Sequence, residues 1–126
     1  MIIVVAAVIE ESGRFLVTLR PDDVHLGGLW EFPGGKAEPS ESHAAALNRE
    51  IREELDADVE VHDLIFSTTH EYPDRNIGLF FYRCTLVGRP KPLLGQKIRW
   101  VPPGELETLE FPPADHELIR VLARSG

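Results

Sequence analysis

Residues Gly35 to Leu55, G-K-A-E-P-S-E-S-H-A-A-A-L-N-R-E-I-R-E-E-L, decide how this chain is read. Arg49, Glu50, Glu53 and Glu54 fall within one predicted helix, and Glu41 stands just ahead of it. At 3.6 residues per turn, Glu50 shares a face with both Glu53 and Glu54. Like charges so spaced destabilise an isolated helix by about 0.2–0.5 kcal/mol per pair. A divalent cation with hard oxygen ligands is the natural counterweight. Acidic runs on helices are most often solvated faces. Here, however, Ala44, Leu47, Ile51 and Leu55 on the opposite face are spaced to pack on a core. Ser40 is the expected N-cap. Pro33-Gly34-Gly35 form a turn whose backbone can approach a ligand closely.

Outward from this segment, the chain has the size of one domain, residues 1–126, large enough to bury a core without staples. Its lone cysteine, Cys84, excludes an internal disulfide and suits a reducing, cytoplasmic setting; lying in F-F-Y-R-C-T-L-V, it reads as a buried strand residue. Met1 to Ile9 is too short to cross a membrane, has no basic start, and runs into Glu10-Glu11, so it reads as a central strand. A formal net charge of −8 argues against stable nucleic-acid binding. A phosphorylated small molecule remains compatible if a metal supplies the positive charge.

Strands are expected over Ile2–Ile9 and Arg14–Arg20, joined at Glu11-Ser12-Gly13, with a short extended piece at Leu29–Phe32. Further strands are expected over Asp58–Thr69, Asn76–Val87 and Lys97–Val101. Leu118, Ile119, Val121 and Leu122 suit an amphipathic helix within Ala114–Arg124. Several strands with two helices far apart imply an α/β chain with a mixed sheet and helices on its faces. His43, His62, His70 and His116 are too scattered to suggest a zinc site.

Gly35, five residues, Glu41, seven residues, Arg49-Glu50-Ile51, one residue, then Glu53-Glu54 resembles the signature box of the Nudix hydrolases. The resemblance implies the Nudix α/β/α sandwich with a mixed β-sheet. The family usually has glycine where this chain has Asp56, which tolerates a left-handed conformation better than most residues. Hydrolysing a phosphoanhydride requires water placed in line with phosphorus and charge neutralised on the oxygens. Magnesium, or manganese, is the implied cofactor. Its expected ligands are Glu50 and Glu54, joined through the resemblance by the Gly34 carbonyl, with Glu53 as a further metal contact. Glu53 is expected to orient or deprotonate the attacking water, and Arg49, four residues earlier, to fix a carboxylate as a bidentate partner. With Glu50, these form the expected catalytic set. Many members take another acid from a later strand or loop. Leu94 to Trp100 contains none, leaving Gln96, Glu105 or the helix cluster alone.

Leu29 to Lys36, Glu71 to Arg75 and Phe111 to Asp115 are similar to segments of MutT-type enzymes, which remove pyrophosphate from oxidised guanine nucleoside triphosphates. That similarity implies a nucleoside triphosphate substrate such as 8-oxo-dGTP, and a monomer or homodimer. Arg20 would contact phosphate or sugar, while His25, Phe32, Arg75 and Asp115 would line the nucleotide pocket. MutT has asparagine at the position of Asp115. An ionised aspartate accepts hydrogen bonds only, which suits either guanine or the exocyclic amine of cytosine. The alternatives are therefore a pyrophosphohydrolase of CTP or modified pyrimidines and, from another class, a non-catalytic nucleotide sensor.

Overall fold

In this structure, a computed structural model, residues 1–22 and 27–124 are described. Strand β1 (Ile2–Glu11) lies at its centre and turns at Ser12 and Gly13, both left-handed, into β2 (Arg14–Leu19). After β3 (Trp30–Glu31) and β4 (Gly34–Lys36) comes helix α1 (His43–Leu55). The long strands β5 (Asp58–Tyr72) and β6 (Arg75–Val87) form a hairpin, followed by β7 (Lys97–Val101) and helix α2 (His116–Arg124). Short 3-10 turns cover Pro103–Thr108 and Pro113–Asp115.

Among the described residues the strands make one mixed sheet of seven. β1 runs parallel to β6 and antiparallel to β4, and meets β2 only at Glu10 and Glu11. β2 in turn carries β3 and β7. This is the mixed α/β arrangement expected from the sequence.

β1 is buried on both faces, which explains its nearly unbroken apolar run. Val5, Ala7 and Ile9 point into one core with Ala46, Leu47, Ile51 and Leu55 of α1. Ala6 and Val8 point into another with Phe32, Phe81, Phe111 and the α2 residues Leu118, Ile119 and Leu122. Alternation along one strand thus separates the two helical layers. Fully burying a leucine or isoleucine contributes roughly 1.5–3 kcal/mol. Leu47, Ile51 and Leu55 together therefore outweigh the repulsion among the α1 carboxylates.

Further contacts fix α1 on the sheet. His43 Nδ1 is 2.6 Å from the Tyr82 hydroxyl, and its ring packs on Phe80. Asn48 Oδ1 accepts the Val59 amide at 3.1 Å. Asp56 ends the helix in the left-handed conformation, φ 53° and ψ 41°, donating its amide to the Arg52 carbonyl.

Several expectations change in detail. The N-cap is Ser42, whose hydroxyl accepts the Ala45 amide at 3.1 Å, because Ser40 lies inside the turn closed by the Glu41 amide on the Glu38 carbonyl. Ala46 replaces Ala44 on the buried face, and Ala44 is exposed. Val121 is 53% exposed because Leu118, Ile119 and Leu122 fill the core-facing stripe of α2. Strand β4 was absent from the expected elements; it is glycine-rich and only three residues long. No helix among the described residues is long and apolar enough to cross a membrane.

Ile51→Ala should lose about 2–5 kcal/mol in a denaturant melt, since it leaves a cavity under α1. Ala44→Ser should stay within about 0.5 kcal/mol, as expected for a surface position. Equal losses would contradict the observed rotation of the helix.

Candidate active site

Two glycines let β4 lie close to β1 on one side and to α1 on the other. A Cβ at Gly34 would lie 2.1 Å from the Val5 carbonyl oxygen, and one at Gly35 would lie 2.5 Å from the Glu50 carboxyl group. Only glycine lets strand and carboxylate approach this closely.

Arg49 organises the acids around that contact. Its Nε and Nη2 form a fork on Glu41, both at 2.8 Å. Nη1 reaches Glu50 at 3.0 Å and Glu53 at 3.4 Å, while Nη2 also donates to the Lys36 carbonyl at 3.0 Å. The bidentate partner is therefore Glu41 and not Glu53, because Glu41 faces the guanidinium from the loop before the helix. That bond and the Glu38 amide hold the Glu41 carboxyl down at about 2. Arg49 is correspondingly held above its ordinary range, chiefly by Glu41.

The remaining acids have much less compensation. Glu50 is raised by burial against the opposing pull of Arg49, whereas the Glu53 side chain is 59% exposed. Glu54 is pushed up to about 8 by burial and by the charges of Glu31 and Glu50, against the Gly34 backbone hydrogen bond and Arg20. Glu53 and Glu54 also occupy the last turn of α1, where the helix dipole disfavours negative charge. The cluster is short of positive charge.

A cleft of about 320 Å³ opens beside it, with Gly34 and Gly35 in its wall. Arg20, Phe32, Arg75 and Asp115 line this cleft together with Glu31 and His70. His25 lies outside the described residues. Phe32 is not an exposed stacking ring; it is 4% exposed, stacked on Phe111 and edge-on to Phe81. Arg20 Nη1 donates to Glu31 at 3.3 Å. Burial raises Glu31, and burial with the Glu31 charge pushes Asp115 up to about 7. Glu31 thus acts electrostatically on Asp115 at one end of the site and Glu54 at the other. Sequence reasoning missed Glu31. Its signal was an acid inside the apolar run Leu29-Trp30-Glu31-Phe32-Pro33.

The model of the NUDIX domain matches residues 4–121. This chain belongs to the Nudix family. It is 39% identical over 120 residues to the CTP pyrophosphohydrolase of Escherichia coli K12, covering 94% of this chain and 89% of that protein. It is 33% identical over 123 residues to the 8-oxo-dGTP diphosphatase of the same organism, covering 97% and 95%. Among solved structures, the E. coli ORF135 protein superposes with a TM-score of 0.86 at 39% identity, covering 95% of this chain and 86% of that one.

Nudix hydrolases generally need a divalent metal. Among the described residues, no three His, Cys, Asp or Glu side chains are already gathered around an ion position. The donor set nevertheless fits a hard cation. It consists of carboxylate oxygens beside a glycine backbone, and Glu54 is half-buried against like charge that Arg20 only partly offsets. Of the two side chains considered from the later segments, Glu105 stands 3.9 Å from Arg99, and the Gln96 carboxamide is bonded to the end of α1. Cys84 is buried, its thiol pushed up to about 12, so it is no nucleophile.

Asp115 contributes to the pH dependence of stability, alongside the raised Glu54. Its folded-state value lies above the ordinary carboxyl value of 3.8, so the fold favours the neutral form. That contribution is complete below 3.8 and is lost as pH rises through about 7. Asp115→Asn should therefore flatten the fall in melting temperature across that window and gain most above it. A slope identical to wild type would contradict the burial assigned to this carboxyl.

Proposed function

We propose that this chain is a magnesium-dependent nucleoside triphosphate pyrophosphohydrolase of MutT type, one Nudix domain acting in the cytoplasm. It hydrolyses oxidised purine deoxynucleotides such as 8-oxo-dGTP to monophosphate and pyrophosphate. The observation carrying this reading is a cleft with half-buried Glu31 and buried Asp115 in its wall and the α1 carboxylates beside its glycine edge.

In this reading Glu50, Glu54 and the Gly34 carbonyl hold the metal, with Glu53 as a further contact. Bound there, the ion supplies Lewis-acid polarisation of phosphate and a more acidic water. Glu53, the most exposed acid bonded to Arg49, orients that water or accepts its proton. Arg49 keeps Glu50 and Glu53 aligned. Arg20 takes the phosphates or sugar, His25 is assigned to the nucleotide pocket by resemblance, Phe32 backs the cleft and Arg75 closes its hairpin side. Asp115 reads the base. Raised to about 7, its carboxyl is partly neutral at physiological pH and can then donate as well as accept, as an asparagine amide does.

A second reading, hydrolysis of CTP or modified pyrimidine nucleotides, draws support from the likeness to the E. coli CTP pyrophosphohydrolase. In its ionised form Asp115 suits the exocyclic amine of cytosine. Discrimination by buried hydrogen bonds is strong enough for this one residue to tip the choice.

Glu53→Gln should cut magnesium-dependent pyrophosphate release by about 10²–10⁴-fold, the usual scale for a general base, at an unchanged melting temperature. Undiminished turnover would favour a different base. Asp115→Asn should alter the ratio of kcat/KM between 8-oxo-dGTP and 5-methyl-dCTP. A constant ratio would remove Asp115 from base reading.

A further inference from the structure

The last carbonyls of a helix have no partner within it. In α1 these groups belong to the turn carrying Glu53 and Glu54, so whatever satisfies them also sets where those acids point. The connection between β6 and β7 does this. The Lys91 amide donates to the Leu55 carbonyl at 2.7 Å, and the Leu93 amide to the Glu54 carbonyl at 3.1 Å. Gln96 Nε2 donates to the same Glu54 carbonyl at 3.0 Å, while its Oε1 accepts the Leu94 amide at 2.9 Å. The next residue, Lys97, opens β7 and pairs with Leu19, the neighbour of Arg20. One half-buried amide therefore links the acid-bearing end of α1 to the strand leading into the Arg20–Glu31 pair.

We propose that Gln96 is a positioning residue for the metal-binding end of α1, a role that rests on the function proposed above. The connection contributes backbone amides and this carboxamide, and no acid: Leu93 and Leu94 are 52% and 63% exposed. A carboxamide is required because the site needs a donor toward Glu54 and an acceptor toward Leu94 at once. Methionine has the length but makes neither bond. Glutamate keeps the acceptor, loses the donor, and adds negative charge at the negative end of the helix. The Glu54 carbonyl also accepts the Leu93 amide, which neither substitution removes, so both variants are expected to fold.

The test uses Gln96→Met and Gln96→Glu, with Mn²⁺ affinity measured by electron paramagnetic resonance without nucleotide, alongside kcat, KM and melting temperature. Residues that orient metal ligands typically contribute about 10–100-fold in metal affinity or activity. The expected result is Mn²⁺ binding weakened by about tenfold in Gln96→Met and more in Gln96→Glu. The kcat should fall in parallel, with nucleotide KM and melting temperature near wild type. Unchanged Mn²⁺ affinity and kcat in both variants would overturn the proposal, as would a rise in KM alone. Wild-type protein that binds Mn²⁺ but releases no pyrophosphate would refute the proposed function only, since the comparison of variants is still read in metal binding. Wild-type protein that takes up no Mn²⁺ would overturn both.

Discussion

One guanidinium group fixes the geometry of the acidic site. Arg49 engages Glu41 by a two-pronged contact, reaches Glu50 and Glu53 with its remaining nitrogen, and ties this set to β4 through the Lys36 carbonyl. Ion pairs open to water contribute little, so stability is a weak reason for such a network. Direction is the stronger one. A planar fork locks carboxylates in orientation as well as distance, which a lysine could not do.

Compensation is unequal along the acids. Glu41 is answered by Arg49 and the Glu38 amide and remains ionised, whereas half-buried Glu54 is answered only by Arg20 and a backbone amide. Burial therefore separates a structural carboxylate from one with unmet charge, although both belong to the same motif. The apolar packing of α1 makes this tolerable, because side chains such as Leu47 and Ile51 contribute several times what each like-charge pair costs. Glu31 extends the same field toward Asp115, so Glu54 and Asp115 share one electrostatic environment.

Much of this was legible in sequence because it is local. The spacing of Glu50, Glu53 and Glu54 needs only helical periodicity, and the double-sided burial of β1 follows from its apolar run. Asp56 does take the left-handed conformation expected where relatives use glycine. Contacts between distant segments were not legible. Ser42 and Ser40 are equivalent as cap residues until the preceding turn is known. The partner of the Arg49 fork depends on how the loop bearing Glu41 folds back. Glu31 meets Arg20 only because β3 pairs with β2, and Phe32 is buried because Phe81 and Phe111 close over it. Gln96 stands in the segment that lacks an acid, and its bond to the Glu54 carbonyl, 42 residues away in sequence, depends on how that segment folds back.

The central claim is that the α1 carboxylates and the Gly34–Gly35 backbone form a single ion-holding unit. Substituting Gly35 by alanine tests it most directly, because every acid is retained while the added methyl collides with the Glu50 carboxyl group. Calorimetric titration of Mn²⁺ into a folded Gly35→Ala protein should show affinity weakened by about tenfold or more, as expected when a ligand's orientation is lost. Wild-type affinity in that folded variant would contradict the account.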